Sequence, residues 1–218
     1  MTKTLILDLD GTLVDSVPDL AAALNRLMAA RGLAEFSLAA TSGMVGDGTR
    51  ALVERALTAR GQLADEAAQA SFLADYSAHA AVATRPFPGA EAALRELAAQ
   101  GWRLAVCTNK PLAPARALLE ALGLSPFFAA IGAGDSFPVQ KPDPRHLLAT
   151  LAAAGGTPRR AVMLGDHAHD VAAARGAGLP CIFAAWGYGP PTMAAGAAAT
   201  AGTFSEVAEV AARLLLTA

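Results

Sequence analysis

The sequence contains few cysteines and almost no excess of either charge. Its 218 residues include two cysteines, Cys107 and Cys181, and each lies inside an apolar run. Reduced thiols in a core are favoured over a disulfide or a reactive pair at such positions. The formal net charge is -2 at pH 7, so there is no basic field to attract nucleic acid or an anionic membrane. We therefore expect neither as a partner.

Long apolar segments are also missing from the sequence. No stretch approaches the ~18 uninterrupted apolar residues of a membrane span. The first residues lead directly into an apolar run, which leaves no room for a signal peptide. Hydrophobic residues make up 54% of the chain, but alanine, a strong helix former, inflates that fraction. We therefore expect a helix-rich cytoplasmic protein, either a monomer or a homodimer.

Three short apolar runs predict strands that are buried on both faces. They begin at Thr4, Arg103 and Ala161, and two weaker runs begin at Phe128 and Pro180. Such near-continuous apolar runs are typical of parallel strands covered by helices. Helical patterns lie between or after the strands at residues 90–99, 113–122, 144–154, 170–175 and 204–216, and a surface loop or weak helix is predicted at residues 187–202. This alternation predicts an α/β fold with a doubly wound, mostly parallel sheet.

The segment of residues 15–85 interrupts this alternation. It has no convincing strand, and its helical patterns lie at residues 19–30, 49–59 and 66–80. We therefore predict an all-helical cap domain over residues 15–85, inserted into an α/β core formed by residues 1–14 and 86–218. The hinges would be Gly11-Thr12 on one side and residues 85–89 on the other.

Each of the three stronger runs stops at polar residues. Asp8 and Asp10 end the first run, Thr108 and Asn109 follow the second, and Asp166 follows the third. In open α/β sheets, ligands bind outside the carboxyl ends of the strands, which meet at one edge. We therefore expect these side chains to contribute to a single site.

Several carboxylates at one edge are costly unless positive charge lies among them. A hard divalent cation, preferably Mg²⁺, would take Asp8, Asp166 and a backbone carbonyl as oxygen ligands. Lys141, in the loop Gln140-Lys-Pro-Asp-Pro, would add a fixed positive charge. Carboxylates, cation and lysine together suit a phosphoryl group rather than a neutral substrate.

Four local motifs occur in order along the chain. They are Asp8-Leu-Asp-Gly-Thr-Leu-Val-Asp-Ser, Thr108-Asn-Lys-Pro, Lys141-Pro-Asp-Pro and Gly165-Asp-His-Ala-His-Asp. In type and order they resemble the four motifs of the haloacid dehalogenase-like (HAD) hydrolase superfamily, and the resemblance covers essentially the whole chain. It implies a HAD-like Rossmannoid core and makes the helical insertion similar to a C1-type cap.

The resemblance implies a role for each carboxylate of these motifs. Asp8 would attack phosphorus and form an aspartyl-phosphate, and Asp10 would protonate the leaving alkoxide and then deprotonate water. Mg²⁺ would be held by Asp8, the backbone carbonyl of Asp10 and Asp166. Asp170 would orient Lys141 or a metal-bound water, although a helix cap at Asp170 would look the same in sequence.

The phosphate-binding groups are implied in the same way. Gly11, the Thr108 hydroxyl and the Asn109 backbone amide would surround the phosphoryl oxygens, and Lys141 would neutralise the nucleophile and the phosphate. Arg50, in a cap loop, is a candidate for binding a substrate carboxylate or phosphate. A solvated arginine at a helix start is an equally good interpretation of Arg50.

Residues 15–23 and 45–57, Thr108-Asn-Lys-Pro and Trp186-Gly-Tyr-Gly look most like bacterial phosphoglycolate phosphatases. The expected substrate is therefore a small phosphorylated metabolite, with 2-phosphoglycolate as the leading candidate. A phosphatase of sugar phosphates, for example amino-sugar phosphates, and a phosphomutase are the alternatives. Asp10 argues against a dehalogenase, because that branch normally lacks the second Asp of the first motif. The presence of Asp8 and Lys141 argues against a non-catalytic scaffold.

His167 and His169 depart from the residues that are common at these places in related phosphatases. The run Asp166-His-Ala-His-Asp invites a transition-metal interpretation. Only His79 and His146 occur elsewhere, so the remaining ligands of a histidine metal site are lacking. Histidines at a loop rim or a helix start are favoured, and His167 could contact substrate or shift the pH optimum.

Overall fold

Six strands form one parallel sheet, and a two-stranded pair lies apart from it. The computed structural model describes residues 2–79 and 81–216. Its strands are Thr4–Leu7 (β1), Val14–Asp15 (β2), Arg85–Pro86 (β3), Arg103–Cys107 (β4), Phe128–Gly132 (β5), Ala161–Gly165 (β6), Cys181–Ala184 (β7) and Ala199–Ala201 (β8). The order in the main sheet is β5-β4-β1-β6-β7-β8, and all neighbours are parallel. The strand β1 is therefore central, and the chain winds outward from it in both directions.

Helices cover both faces of this sheet. In chain order, the helices of the described residues are Val17–Ala30 (α1), Leu38–Ser42 (α2), Gly48–Thr58 (α3), Glu66–His79 (α4), Ala90–Ala99 (α5), Leu112–Ala121 (α6), Pro144–Ala153 (α7), Ala168–Gly176 (α8) and Val207–Leu216 (α9). The helices that cover the sheet are α5 to α9. Successive side chains of a strand point to opposite faces, so Leu5 and Leu7 of β1 pack with α5, α6 and α9, whereas Ile6 packs with α7 and α8. Burial on both faces explains why these strands are apolar without alternation.

The cap segment has a hydrophobic cluster of its own. Buried side chains of α1, α3 and α4, among them Leu24, Leu52 and Phe72, pack together, and all buried members lie between Leu20 and Tyr76. Because this cluster is separate from the two clusters of the sheet, we propose that residues 15–85 form a cap domain. The α/β core would then consist of residues 1–14 and 86–218.

Two connections tie the ends of the cap segment together. The strands β2 and β3 are antiparallel neighbours. Asp19, buried near the start of α1, accepts hydrogen bonds of 2.7 to 3.0 Å from the backbone N–H groups of Ala83 and Thr84 and from the Thr84 hydroxyl. Asp19 therefore fixes the start of α1 to the residues that directly precede β3.

The predicted fold class, a doubly wound, mostly parallel α/β sheet, is confirmed. The structure adds β8 inside the stretch for which a loop or weak helix is predicted, because Ala-Thr-Ala is too short and too poor in large apolar residues to stand out. It also adds the five-residue helix α2 and the short β2–β3 pair. The predicted end of the third cap helix, Ala80, lies outside the described residues.

The helices of the structure are short relative to a lipid bilayer or too polar to cross it. Within residues 2–79 and 81–216, none combines the length and the apolar character that crossing a membrane requires.

Candidate active site

The carboxyl ends of β1, β4 and β6 bring polar side chains to one edge of the sheet. Asp8 follows β1, Thr108 follows β4 and Asp166 follows β6, and all three are buried. Lys141 comes from the loop between β5 and α7, and Asp170 comes from α8. The structure therefore brings five of the residues that the sequence indicates for the site to the same edge.

Lys141 is held between two carboxylates. Its Nζ lies 2.9 Å from Asp8 Oδ1 and 2.6 Å from Asp170 Oδ1, and its side chain is 2% exposed. Burial alone would lower the pKa of Lys141, but the charges of Asp170 and Asp8 raise it above its usual value. Asp170 Oδ2 also accepts a hydrogen bond from the backbone N–H of His167 at 3.0 Å. Asp170 therefore both holds a charged Lys141 and caps α8.

The buried carboxylates form a group into which a divalent cation fits. One oxygen each of Asp8, Asp166 and Asp170 lies within 4.8 Å of the others. Burial, which outweighs the effect of Lys141, raises the pKa of Asp8 to about 8. Burial and the charge of Asp170 raise the pKa of Asp166 to about 6. Carboxyl groups with raised pKa values are fully ionised at neutral pH only when further positive charge lies beside them. Carboxylate oxygens are hard ligands, and they suit a hard cation.

The Asp166 carboxylate is oriented by the neighbouring loops. Thr12 Oγ1 donates to Asp166 Oδ1 at 2.7 Å, and the Tyr188 backbone N–H donates to Asp166 Oδ2 at 2.8 Å. Gly11 has a φ of 86°, and a Cβ at this position would lie 2.5 Å from Asp166 Oδ2. Gly11 therefore provides the space that Asp166 needs, while its predicted contact with phosphate stays a prediction.

Thr108 and Asn109 line a cavity between the sheet edge and the cap segment. The Asn109 side chain exchanges two hydrogen bonds of 3.0 Å with the backbone N–H and carbonyl of Lys141. Its Nδ2 also donates to the carbonyl of Gly46, in the proposed cap segment, at 3.2 Å. The side chain of Asn109, for which the sequence suggested no role, thus joins the Lys141 loop to the cap.

Lys110 and Tyr76 are site residues that sequence reasoning missed. Lys110 Nζ lies 2.9 and 3.0 Å from the two carboxylate oxygens of Asp10 and 4.4 Å from the centroid of the Tyr76 ring. Burial opposes the charge of Lys110, but Asp10 and Tyr76 raise its pKa above the usual value. The available signal was the position of Lys110, directly after Thr108 and Asn109. Nothing in the sequence pointed to Tyr76 of α4.

Comparisons with known proteins agree with this geometry. The family model described as haloacid dehalogenase-like hydrolase matches residues 2–178. The chain belongs to this family. A phosphoglycolate phosphatase from Rhodospirillum rubrum is 43% identical over 218 residues, covering 96% of this chain and 90% of the relative.

Solved structures also resemble the chain over nearly its whole length. The crystal structure of a predicted phosphoglycolate phosphatase from Haemophilus somnus matches with a TM-score of 0.89 at 28% identity, covering 96% of this chain and 97% of the other. A mutant of CbbY from Rhodobacter sphaeroides in complex with xylulose-(1,5)bisphosphate matches with a TM-score of 0.79 at 26% identity, covering 95% and 96%. The predicted resemblance to this family is thus confirmed.

A loop of the cap segment contacts His167 and His169. Asp47 Oδ1 lies 2.8 Å from His169 Nδ1, and a Cβ at Gly46 would lie 2.9 Å from the His167 ring. His167 also begins α8, since its Nδ1 accepts a hydrogen bond from the His169 backbone N–H. In the described part of the chain, neither histidine belongs to a group of three potential metal ligands. Their contacts are those of a helix start and a cap-loop support.

Arg50 is not brought to the site. Its side chain is 77% exposed, and its Nε lies 3.0 Å from Glu54 Oε1 one turn further along α3. The preceding residues Gly48 and Thr49 line the cavity beside Asp8, but Arg50 does not. The contacts of Arg50 are therefore those of a solvated helix residue, and its suggested role as a substrate ligand has no support from them.

Buried His146 supports the loop that carries Lys141. His146 Nδ1 accepts a hydrogen bond from the Lys141 backbone N–H at 3.1 Å, and its Nε2 lies 3.1 Å from the Ala133 carbonyl oxygen. A neutral ring with its proton on Nε2 satisfies both contacts. Burial and the charge of Lys141 lower the pKa of His146 to about 4. The loop is therefore built around an uncharged histidine.

Acidification should weaken this support. Because the folded-state pKa of His146 is lower than that of the unfolded chain, the unfolded state binds the extra proton as pH falls from 6.5 toward 4. The quantity to compare is the difference in free energy of unfolding between wild type and His146→Gln. We expect this difference to be smaller at about pH 4.5 than at about pH 7, by roughly 1–2 kcal/mol. Urea unfolding of both proteins at the two pH values measures it, and an unchanged difference would contradict this account.

Proposed function

We propose that this chain is a Mg²⁺-dependent phosphatase of a small phosphorylated carboxylic acid, with 2-phosphoglycolate as its substrate. The observation that carries the proposal is the buried contact between Lys141 and Asp8 next to Asp166. A carboxylate so placed can approach a phosphate group, because positive charge lies beside both. The substrate is supported by the phosphoglycolate phosphatase of Rhodospirillum rubrum, to which the chain is 43% identical.

Asp8 supplies the nucleophile. The backbone N–H of Leu9 and the ammonium of Lys141 both bind Asp8 Oδ1, at 2.7 and 2.9 Å. We infer that Oδ2 attacks phosphorus, because its electron pairs are not engaged by these donors. The new bond to Asp8 forms as the bond from phosphorus to the alkoxide breaks, which leaves an aspartyl-phosphate. The Thr108 hydroxyl and the Asn109 backbone amide would hold the phosphoryl oxygens.

Asp10 acts as the general acid in the first half-reaction and as the general base in the second. It lines the same cavity as Asp8, and its side chain is 13% exposed. In the first half-reaction Asp10 gives a proton to the leaving alkoxide. In the second, its carboxylate takes a proton from the water that attacks the aspartyl-phosphate, so the enzyme returns to its starting state.

Asp8, Asp166 and the backbone carbonyl of Asp10 would hold the Mg²⁺ ion. When bound, the ion would offset the charges of the phosphate and of Asp8, which lowers the barrier between two anions. Thr12 and the Tyr188 backbone N–H keep the Asp166 carboxylate in position through its two oxygens. Lys141 would remain as a second positive charge beside the nucleophile.

We also propose a cytoplasmic location. Cys107 and Cys181 are buried free thiols, and burial raises the pKa of Cys107 to about 12. Unreactive thiols of this kind suit a reducing compartment.

The metal requirement and the substrate can be tested together. Purified protein should release inorganic phosphate from 2-phosphoglycolate with Mg²⁺, and EDTA should lower the rate by at least about 100-fold until excess Mg²⁺ is restored. A panel that includes amino-sugar phosphates and hexose phosphates then compares kcat/KM values. A rate that EDTA does not change contradicts the metal role. A higher kcat/KM for a sugar phosphate contradicts the substrate assignment.

A further inference from the structure

Lys110 lines the cavity, but none of the proposed catalytic steps uses it. Among the described residues that line the cavity, Lys110 has the one cationic side chain, next to the acidic Asp8 and Asp10. Lys141 is not part of this lining and is already bound to two carboxylates. Any anionic group of a substrate other than its phosphate would therefore find its cationic partner in Lys110.

The surroundings of Lys110 hold its ammonium in place but leave it able to bind another anion. The two oxygens of Asp10 use at most two of its three N–H donors, at 2.9 and 3.0 Å. The ring of Tyr76, a fully buried residue of α4, lies 4.4 Å from Nζ and attracts the cation without supplying a carboxylate. The ammonium is thus confined between the core and the cap segment.

The lining residues that come from the cap segment include no cationic side chain that could bind a carboxylate. They are Leu20, Val45 and Leu52, together with Gly46, Gly48 and Thr49. A carboxylate buried here would lose its water, and only charge-assisted hydrogen bonds offset such a loss. The other charged lining residues, Asp8 and Asp10, are acidic, so among the described lining residues an anionic leaving group can pair only with Lys110.

We propose that Lys110 binds the carboxylate of the substrate's leaving group and so selects phosphorylated acids over neutral phosphomonoesters of similar size. The assignment rests on the proposed phosphatase function, since it concerns the leaving group of that reaction. Lys110 is thereby a specificity residue that contacts substrate, and it takes over the role that the sequence suggested for Arg50.

The test compares two substrates that differ in one group. In 2-hydroxyethyl phosphate, a hydroxymethyl group replaces the carboxylate of 2-phosphoglycolate. For Lys110→Met, the ratio of kcat/KM for the acid to that for the neutral ester should fall roughly 10- to 100-fold, mainly through KM for the acid. Lys3→Met, a matched change outside the cavity, and Arg50→Met should leave that ratio unchanged. An unchanged ratio in Lys110→Met, or a ratio that responds to Arg50→Met instead, overturns the proposal.

A second variant covers the case in which Lys110→Met does not fold. Lys110→Arg keeps the charge but moves it, so KM for 2-phosphoglycolate should change more than KM for the neutral ester. Equal changes overturn the proposal. If wild type hydrolyses both substrates without preferring the acid, the Lys110 assignment fails while the phosphatase function stands. If wild type releases phosphate from neither, the proposed function fails and the assignment fails with it.

Discussion

Replacing Asp8 with asparagine should lower kcat at least about 10⁴-fold, because the amide is too weak a nucleophile to form the aspartyl-phosphate. The change is nearly isosteric, and Lys141 keeps its contact with Asp170. Phosphate release from 2-phosphoglycolate and from a generic aryl phosphate measures the effect. Asp65→Asn is a matched control, since Asp65 pairs with Arg31 on the surface of the cap segment. It should keep the wild-type rate.

The Asp8→Asn protein should nevertheless stay folded. Burial raises the pKa of Asp8 to about 8, so without metal the folded state binds its proton more tightly than the unfolded chain does. This contribution to stability is therefore present at low pH and is lost as pH rises through about 8. Asparagine carries no charge, so in EDTA at about pH 8 its Tm should equal or exceed that of wild type. A clearly lower Tm would attribute the lost activity to unfolding.

The second large effect is expected for Lys141→Met. This variant removes the ammonium that lies 2.9 Å from Asp8 and 2.6 Å from Asp170 and leaves their carboxylates without it. We expect kcat to fall by about 10²- to 10³-fold, as for other preorganised donors at a reacting centre. The free energy of unfolding should fall by about 3 kcal/mol or more, because buried charges lose their partner.

The lysine content of the chain provides the control for that experiment. The sequence has only three lysines, Lys3, Lys110 and Lys141. Lys3 Nζ lies 4.8 Å from the centroid of the Trp102 ring, away from the site. Lys3→Met should therefore change neither kcat nor the metal requirement. If Lys141→Met kept more than about a tenth of wild-type kcat, Lys141 would not be the preorganised charge that the mechanism needs.

The central part of the fold and of the site could be predicted from local patterns. Apolar runs that end in Asp8, Thr108 and Asp166 predict parallel strands whose carboxyl ends meet, and the structure places these residues at one edge. Such a prediction works because the apolar residues that indicate a buried strand and the polar residues that mark its end are adjacent in the sequence. The sequence also suggested that Lys141 lies beside Asp8, since a cluster of carboxylates requires a positive charge nearby.

The contacts between distant segments could not be predicted in the same way. Lys110 and Asp10 are 100 positions apart, and Tyr76 reaches them from a cap helix with no periodic signal toward the site. Arg50 was a candidate because its charge is visible in sequence, but the sequence does not show that it faces solvent beside Glu54. Packing between the cap segment and the core decides such contacts, and no short pattern encodes it.

The most direct measurement is the covalent state of Asp8 during turnover. Asp10→Asn should slow hydrolysis of the intermediate, because the base that activates water is missing. Because Asp10 also protonates the leaving alkoxide, this variant would be mixed with Mg²⁺ and an aryl phosphate, whose leaving group departs without that proton. The mixture would be quenched rapidly in acid and digested for mass spectrometry. The peptide containing Asp8 should gain the mass of one phosphoryl group at Asp8, and this gain should be absent in EDTA. A phosphoryl group on another residue, or turnover with no phosphorylated peptide at any quench time, would contradict the proposed mechanism.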